Sequence, residues 1–517
     1  VVPYDMELQR KESKEFLNDL TTRDQRMMCA TVTMAHMADS KEQLDADTET
    51  ILSTARRHLC QLAVLKFQQT DGLNTVLPIG CKKIQATRTL TTESLAVFMP
   101  FKVQEVAHEH GIYYGQNAIS NNMIIANRKC LLNGNSFILG VSGSGKSFAT
   151  KTILTNLAAE NSKIFILDPE NEYNYLAKNL GGRLIDVGTA TQGRINPFHV
   201  VTTLDADEDG AGAKVDNFAV HLQFLEEYFR VILPGIDAQA LEYLNNLVVE
   251  VYKKKGIGFG SDFSRLAPED YPIFDDLYAI IKEKLAEAKV DYDIVNLRIL
   301  SNFVSKFASG GRDSNLWNGH STLTVKENFT VFNFQSLLAN KNGVIANAQM
   351  LLVFRFIEQE VINARELNKN GKNLRTMIVC DEAHLFIDAK FPIALDFFFS
   401  MSKRIRKYGG SFIPATQNIA DWNANEELRG KTSAIIKNSQ YTFIFKLSAP
   451  DMKDVLDVYK VGESFNDDEQ RMIISAITGQ AFFIGSTELR TSVKIISGDY
   501  AQTLFNEQKQ KEELNEN

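Results

Sequence analysis

The sequence has 517 residues, more than a single domain usually contains, so we expect at least two folded units. Its hydrophobic and charged fractions, 44% and 23%, are those of an ordinary globular chain and argue against disorder over most of its length. The formal net charge of -8 disfavours a constitutive, sequence-independent grip on nucleic acid, because such binding relies on Lys and Arg side chains that neutralise phosphates. A basic channel lined by a minority of residues remains compatible with this charge.

The cysteine content favours reduced thiols in a cytoplasmic compartment over a disulfide framework, since no CxxC pair occurs among five sparse cysteines. No apolar run approaches the roughly 20 residues that a membrane helix needs. The sequence begins at Val1 with neither a signal peptide nor an initiator Met. We therefore expect it to be a fragment that lacks much of an N-terminal domain.

Residues 1–112 predict a small α+β region, the C-terminal part of such a domain followed by a linker. A run of β-branched and small residues predicts a strand at 27–37, and apolar residues at helical spacing predict a helix at 41–59. Renewed alternation predicts a second strand at 60–67. A short helix or turn is expected at 72–78.

From residue 113 the pattern changes to short apolar strands separated by amphipathic helices. Strands are predicted at 136–139 and 163–167, with a helix up to residue 159 between them, which is typical of a parallel sheet. This α/β pattern predicts a parallel-sheet core over 113–200 and 327–505. The tail at 506–517, rich in Gln, Glu and Lys, is expected to be disordered.

An all-α insertion is predicted to divide this core at residues 201–326, where strand patterns disappear. The apolar spacing there predicts four helices, at 216–233, 237–255, 273–288 and 292–308.

A complete phosphate-binding signature, G-x-x-x-x-G-K-[ST], follows the strand at 136–139. Glycines let backbone N–H groups close around phosphate oxygens, and the following helix adds partial positive charge. Lys146 can reach the β and γ phosphates, and the Ser147 hydroxyl can bind Mg²⁺. We predict ATP and Mg²⁺ as ligands. The predicted nucleotide-binding residues are Gly140, Val141, Ser142, Gly143, Ser144, Gly145, Lys146, Ser147 and Phe148.

A second apolar strand, at 377–380, ends in Asp381 and Glu382, as a Walker B strand does. Asp381 is predicted to lie in the Mg²⁺ shell, and Glu382 to polarise the attacking water as the general base. A strand end followed by an acidic helix N-cap would look similar. The complete P-loop favours the catalytic interpretation.

Two further strand ends carry polar candidates for the same site. Gln417 follows an apolar strand at 411–416 and is predicted to sense the γ-phosphate, the alternative being an ordinary polar residue at a strand end. Glu172 lies in Asp168-Pro-Glu-Asn-Glu-Tyr173, after the strand at 163–167, and could orient water or metal. A solvated acidic turn is the alternative there.

Ring-forming motor ATPases need a cation from the neighbouring subunit to neutralise charge in the transition state. Arg404 and Arg406, ahead of the Gln417 strand, are candidates, and so is Arg490 between two predicted strands near the C-terminus. Each could instead be a solvated surface charge.

Taken in order, these motifs resemble the VirB-four (TraC/TrsE-type) ATPases of conjugative type IV secretion systems, within the HerA/FtsK-like P-loop group. The resemblance is carried by GVSGSGKS, DPENEY, RINPF at 194–198, DEAH at 381–384, RIRKYGG at 404–410 and ATQN at 415–418. It implies that the α/β region at 113–200 and 327–505 is a RecA-like P-loop ATPase core. It also implies a hexameric ATPase that energises a secretion channel at the inner face of the cell membrane. Inner-membrane channel components and a coupling ATPase are the implied partners.

Two alternatives stay open from the sequence. A HerA- or coupling-protein-like DNA translocase shares this core, although the acidic charge argues against it. A superfamily-two helicase is disfavoured because Gln470-Arg471 lacks the glycines of the helicase Q-R-x-G-R-x-G-R element. The other open alternative, besides the DNA translocase, is an assembly scaffold that binds nucleotide with little turnover.

Overall fold

The computed structural model of the protein describes most of the chain, and every structural statement below refers to those residues. They are 4–22, 25–98, 106–131, 133–160, 162–190, 193–201, 216–339, 343–372, 374–388, 390–417, 419–420, 422, 426–459, 464–486 and 489–509. The chain divides into two compact units, Val1–Val103 and Gln104–Asn517. No described helix combines the length and apolar character needed to cross a membrane.

The first unit contains four helices and one antiparallel strand pair. Its elements are α1 (Tyr4–Thr22), β1 (Met27–Ala30), α2 (Lys41–Arg57), α3 (Gln69–Val76), β2 (Arg88–Thr91) and α4 (Thr92–Ala96), with Met27 opposite Thr91. The helix predicted at 41–59 is confirmed, and it begins where the Ser40 hydroxyl accepts a hydrogen bond from Gln43 N.

Two strand predictions in this unit fail. The strand expected at 27–37 is limited to Met27–Ala30, and residues 60–67 form no strand. Alternating side chains become a strand only where a neighbouring strand accepts the backbone hydrogen bonds. β2 offers four positions to β1, and no described strand pairs with 60–67.

A twelve-stranded sheet organises the second unit. Its strands are β3 (Val106–Ala107), β4 (Ile112–Asn117), β5 (Met123–Ala126), β6 (Ser136–Leu139), β7 (Lys163–Asp168), β8 (Arg183–Asp186), β9 (Phe329–Asn333), β10 (Thr376–Cys380), β11 (Ser411–Thr416), β12 (Tyr441–Phe445), β13 (Gln480–Ile484) and β14 (Arg490–Ile495). They lie in the order β3-β5-β4-β14-β13-β12-β6-β11-β10-β7-β9-β8. The seven from β12 to β8 are parallel, and β13, β14, β4 and β5 extend them in antiparallel fashion.

The central strands are buried on both faces, which explains their continuous apolar runs. Every residue of β6, β10 and β11 is buried. Helices cover the sheet and also form a block of their own. They are α5 (Lys146–Ala159), α6 (Asn174–Asn179), α7 (Asn217–Ile232), α8 (Ala238–Lys254), α9 (Phe274–Glu287), α10 (Asp291–Val304), α11 (Ser314–Trp317), α12 (Gln335–Ala339), α13 (Gly343–Lys369), α14 (Pro392–Arg404), α15 (Glu426–Lys437), α16 (Ala449–Val458), α17 (Asp467–Ile474) and α18 (Asp499–Thr503).

The helical block has its own apolar core. The four helices predicted between 216 and 308 correspond to α7–α10, which pack together around side chains such as Tyr228, Leu244 and Leu300. Residues 202–215 of the predicted insertion and 510–517 of the predicted tail lie outside the described part of the chain. The strand β3 and the first residue of β4 precede residue 113 and belong to the large sheet.

Candidate nucleotide-binding site

The predicted catalytic motifs meet at one edge of the sheet, because they follow parallel strands in matched register. Leu139 at the end of β6 pairs with Thr416 of β11, and Cys380 at the end of β10 pairs with both Pro414 and Leu167. The loops after these four strands therefore emerge side by side. The carboxyl edge of a parallel sheet is where open α/β folds bind ligands.

The phosphate-binding loop connects β6 to α5, and three hydrogen bonds hold its backbone. Gly140 N donates to Thr416 O at 3.2 Å, and Val141 N donates to Lys446 O at 3.2 Å. Within the loop, the Ser144 hydroxyl donates to Val141 O at 2.6 Å. Helix α5 begins directly afterwards, so its free N–H groups face the space where phosphates would bind.

A segment near the C-terminal end of the chain supports this loop, and no sequence motif indicated it. Gly479 N donates to Ser144 O at 2.9 Å, and the Thr478 hydroxyl donates to Gly143 O at 3.4 Å. Gly145 has φ +100°, and a Cβ placed on it would lie 2.7 Å from Gly479 N. Glycine is therefore required at 145 both for backbone conformation and for this close approach.

Lys146 and the two Walker B acids form a buried ionic cluster. The Lys146 ammonium donates to Glu382 Oε1 and lies 3.4 Å from Asp381 Oδ1, and all three side chains are at most 10% exposed. Burial alone would lower the pKa of the Lys146 ammonium, but Asp381 and Glu382 outweigh burial and raise it. The cluster brings the P-loop lysine and the 381–382 pair into direct contact.

Glu382 has two features typical of a functional residue. Its backbone is in the left-handed region, with φ 42° and ψ 48°, which costs free energy for a non-glycine residue. Its Oε2 lies 3.2 Å from His384 Nδ1, yet neither atom has a well-aligned hydrogen-bond partner. Burial raises the pKa of Glu382, but His384 and Lys146 lower it below its ordinary value overall. The Glu382 carboxylate is thus negatively charged, and its Oε2 can still accept a hydrogen bond.

Asp381 is held by a residue that the sequence did not single out. The Tyr173 hydroxyl donates to Asp381 Oδ2 at 2.7 Å, and the Tyr173 side chain is fully buried. Tyr173 is delivered by the turn after β7, in which the Asp168 carboxylate accepts from the backbone N–H groups of Glu170, Glu172 and Tyr173 at 3.0–3.2 Å. The only sequence signal was the aromatic residue that ends the DPENEY motif.

The structure places Glu172 at the rim of this site. Its carboxylate lies 3.3 Å from Lys151 Nζ and is 40% exposed. The pKa of Glu170 in the same turn is raised, first by burial and then by the charge of Glu382. A direct role for Glu172 toward water or metal stays a prediction.

Gln417 and Phe148 lie at the ends of elements that border the phosphate-binding loop. Gln417 directly follows β11, next to Thr416, whose carbonyl accepts from Gly140, and it is half-buried. Asn418 of the same motif lies outside the described residues. Phe148 is in the first turn of α5 and meets Phe505 edge-to-face, with ring centroids 5.5 Å apart. Sensing by Gln417 stays a prediction.

The sequence matches the family described as the TraG P-loop domain over residues 119–481, more than half of the chain. This protein belongs to the TraG P-loop domain family. The match begins near β5 and ends in β13, so it contains the loop, the Walker B strand and the helical block.

Solved and curated relatives agree with this membership. A structure of VirB4 of Thermoanaerobacter pseudethanolicus is 26% identical and superposes with a TM-score of 0.62, covering 77% of this chain and all of that one. An uncharacterised protein of Bacillus anthracis is 23% identical over 438 residues, and Protein TraC of Escherichia coli K12 is 21% identical over 332. The resemblance to VirB-four/TraC-type ATPases and the RecA-like α/β fold are thereby confirmed.

The chain spans 66% of the length of the Bacillus relative and 34% of TraC. The aligned regions include 77% of this chain in the match to the Bacillus relative and 63% in the match to TraC.

The three candidate arginines have different surroundings. Arg490 is bound within the chain to Glu469, with Nε 2.6 Å from Oε1 and Nη2 3.0 Å from Oε2. Arg404 ends α14 and is half-buried, and it too has an interaction within the chain. Arg406 lies in the 3-10 turn Ile405–Tyr408 and is exposed. Arg406 is thus the candidate best placed to reach a neighbouring molecule.

The residues of this family's P-loop site fit a magnesium ion shared with phosphates. Among the described residues, no group of three or more His, Cys, Asp or Glu side chains could hold a metal by itself. Mg²⁺ in phosphate-transfer sites is typically held by one or two side-chain oxygens together with phosphate oxygens and waters. Asp381 and the Ser147 hydroxyl, in the first turn of α5, supply such oxygens beside the loop. Family membership establishes nucleotide binding, and these donors suit a metal–nucleotide ligand.

Proposed function

We propose that this chain hydrolyses ATP with Mg²⁺ and drives a conjugative type IV secretion system. The observation that carries the proposal is the arrangement of Glu382: Oε1 is bound to the P-loop lysine, and a strained backbone with φ 42° holds Oε2 3.2 Å from His384 Nδ1. A scaffold that only binds nucleotide has no need of an ionised, strained carboxylate next to the phosphate-binding lysine.

The residues divide the chemistry between them. Lys146 binds the β and γ phosphates, exchanging one carboxylate contact for phosphate oxygens of similar charge. Asp381 and Ser147 would hold Mg²⁺, which would supply positive charge beside the phosphates. Glu382 orients the attacking water and accepts its proton, because its lowered pKa keeps it ionised at neutral pH.

The place of this activity in secretion is supported by the likeness to VirB4 and to TraC and by the shared order of motifs. We infer that the active form is a hexameric ring in which a neighbour supplies the missing cation. The ring associates with inner-membrane components of a secretion channel, at the cytoplasmic face, and with a coupling ATPase. The net charge of -8 gives no support to a DNA-gripping role.

The test compares Mg²⁺-dependent phosphate release by the wild type with that of Lys146→Ala and Glu382→Gln, over a range of protein concentrations. Glu382→Gln should bind ATP and lose turnover by on the order of 10²–10⁴-fold, the usual contribution of a general base. Lys369→Ala and Glu366→Gln, an exposed ion pair on α13, serve as matched controls. Equal background turnover in all five proteins would contradict the proposed hydrolysis of ATP by this chain.

Two further arms address the biological role. Transfer by a conjugative element that lacks its own copy should be restored by the wild-type gene and not by Lys146→Ala. Single- and double-stranded DNA are added to the turnover assay. Strong stimulation by either would favour a DNA translocase over a secretion energiser.

A further inference from the structure

The turn after β7 carries, besides its acidic residues, a tyrosine that contacts the Walker B acid Asp381. Tyr173 caps the start of α6, and its hydroxyl is bound to Asp381, 208 residues further along the chain. The Tyr173 side chain is fully buried, so this hydroxyl contact is shielded from water. The Lys151 ammonium lies 5.3 Å from the ring centroid and restricts the ring from outside.

The turn that carries Tyr173 is fixed at several points. Asp168 accepts three backbone hydrogen bonds from it, and Phe334 N donates to Asp168 O at 2.8 Å. Asn171 has φ 63°, and its Oδ1 accepts from Asn333 Nδ2 at 2.7 Å. The turn is therefore tied to the ends of both β7 and β9, and Tyr173 is delivered to Asp381 by a rigid support.

This support determines how the Asp381 carboxylate is rotated. With Oδ2 bound to Tyr173, Oδ1 faces the P-loop, where it accepts from Glu382 N at 2.9 Å and lies 3.4 Å from Lys146 Nζ. A terminal carboxylate torsion is broad and has no strong intrinsic preference. A hydroxyl donor on one oxygen is thus what aims the other at the metal–phosphate position.

We propose that Tyr173 is a positioning residue that fixes the rotation of the Asp381 carboxylate and thereby sets how strongly Mg²⁺ promotes nucleotide binding. The proposal rests on the proposed function in that it takes metal–ATP as the ligand. This role for the DPENEY turn differs from a direct role of Glu172. The turn acts through Tyr173 on Asp381, the acid that follows β10, and does not itself contact the nucleotide.

The test measures equilibrium affinity for a fluorescent ATP analogue with excess Mg²⁺ and with EDTA, for wild type, Tyr173→Phe and a matched control. Tyr228→Phe is the control, because its hydroxyl is equally buried and has no partner among the described residues. The ratio of the two affinities is the quantity of interest. Tyr173→Phe should reduce it about tenfold, the usual effect of losing one hydrogen bond to a buried charge, with the EDTA affinity unchanged. Tyr228→Phe should match the wild type.

Several outcomes would overturn the proposal. An unchanged ratio in Tyr173→Phe contradicts it, and so does an equal loss of affinity with Mg²⁺ and with EDTA, which indicates general damage to the site. Asn333→Ala loosens the same turn without altering Tyr173 and should lower the ratio by a smaller factor; this keeps the test decisive if Tyr173→Phe does not fold. A wild type whose binding ignores Mg²⁺ would overturn the proposed function as well.

Discussion

Arg490 and Glu469 form a bidentate ion pair that joins the β13–β14 hairpin to α17. Both side chains are largely buried, at 13% and 14% exposure, and the guanidinium lies over the rings of Phe465 and Phe482. Helix α17 leads directly into Thr478 and Gly479, on which the phosphate-binding loop rests. The pair therefore stabilises the element that supports the loop, which accounts for Arg490 within a single chain.

We expect Arg490→Met and Glu469→Gln each to lower the free energy of unfolding by about 3 kcal/mol, because each leaves a buried partner unpaired. The double substitution should lose less than the sum of the two, since it removes both charges together. Urea unfolding of the four proteins measures this coupling. Strictly additive losses would show that the pair contributes nothing as a pair. A role for Arg490 in a neighbouring active site would instead predict lost turnover at unchanged stability.

Arg406 is the arginine that we expect to act in a neighbouring subunit. Arg406→Ala should keep ATP binding and lose turnover by about 10³-fold, the typical contribution of such a residue. The adjacent exposed Lys407 provides the control, and Lys407→Ala should stay near wild-type turnover. Phosphate release and analogue binding, each measured per subunit, separate the two effects.

Mixing two inactive proteins tests directly whether Arg406 acts between subunits. Arg406→Ala retains an intact P-loop, and Lys146→Ala retains an intact arginine, so a mixed ring contains interfaces with both. Random assembly at equal amounts should restore about a quarter of wild-type turnover. A mixture no more active than its components, under conditions where subunits exchange, would assign Arg406 a role within its own chain.

The sequence predicted the parts of the site that depend on local order. The P-loop and the acids at 381–382 each follow a buried strand. Hydrophobic periodicity and a glycine-rich turn are enough to predict where the neighbouring strands and helix begin and end. Parallel register then brings strand ends together without further information. The predicted general base was identified in the same way, from its position directly after a strand.

Contacts that depend on the third dimension could not be predicted. Tyr173 reaches Asp381 and Gly479 reaches Ser144 because distant strands are neighbours in the sheet. Nothing in the residue types alone distinguishes a tyrosine that holds a carboxylate from one that fills a core. The failed strand at 60–67 has the complementary cause, since alternation cannot show whether a pairing partner exists.

The contact between Gly479 and the phosphate-binding loop predicts an unusual sensitivity to a single methyl group. Gly479 has φ +80°, so alanine there is strained by roughly 1–2 kcal/mol and would displace the N–H that holds Ser144 O. Gly479→Ala should lower stability by that amount and weaken ATP binding about tenfold. Gly430→Ala is the control: it lies in α15 with open space around it and should stabilise the protein by about 0.5–1 kcal/mol. Unaltered nucleotide affinity in Gly479→Ala would show that this segment does not support the loop.

His199 makes the stability of the protein dependent on pH. It stacks on Tyr271, with ring centroids 4.3 Å apart, and burial lowers its pKa from 6.5 to about 4. Between these two values the unfolded chain binds the proton and the folded chain does not, so stability falls as pH falls. From pH 7.5 to 5 this histidine should cost about 2 kcal/mol of unfolding free energy. His199→Phe keeps the stacked ring and cannot titrate, so urea unfolding at both pH values should show a loss smaller by that amount. Between pH 7.5 and 9, where the imidazole is neutral in both states, the two proteins should change in parallel. Equal losses on acidification would contradict a His199 that stays neutral in the folded chain.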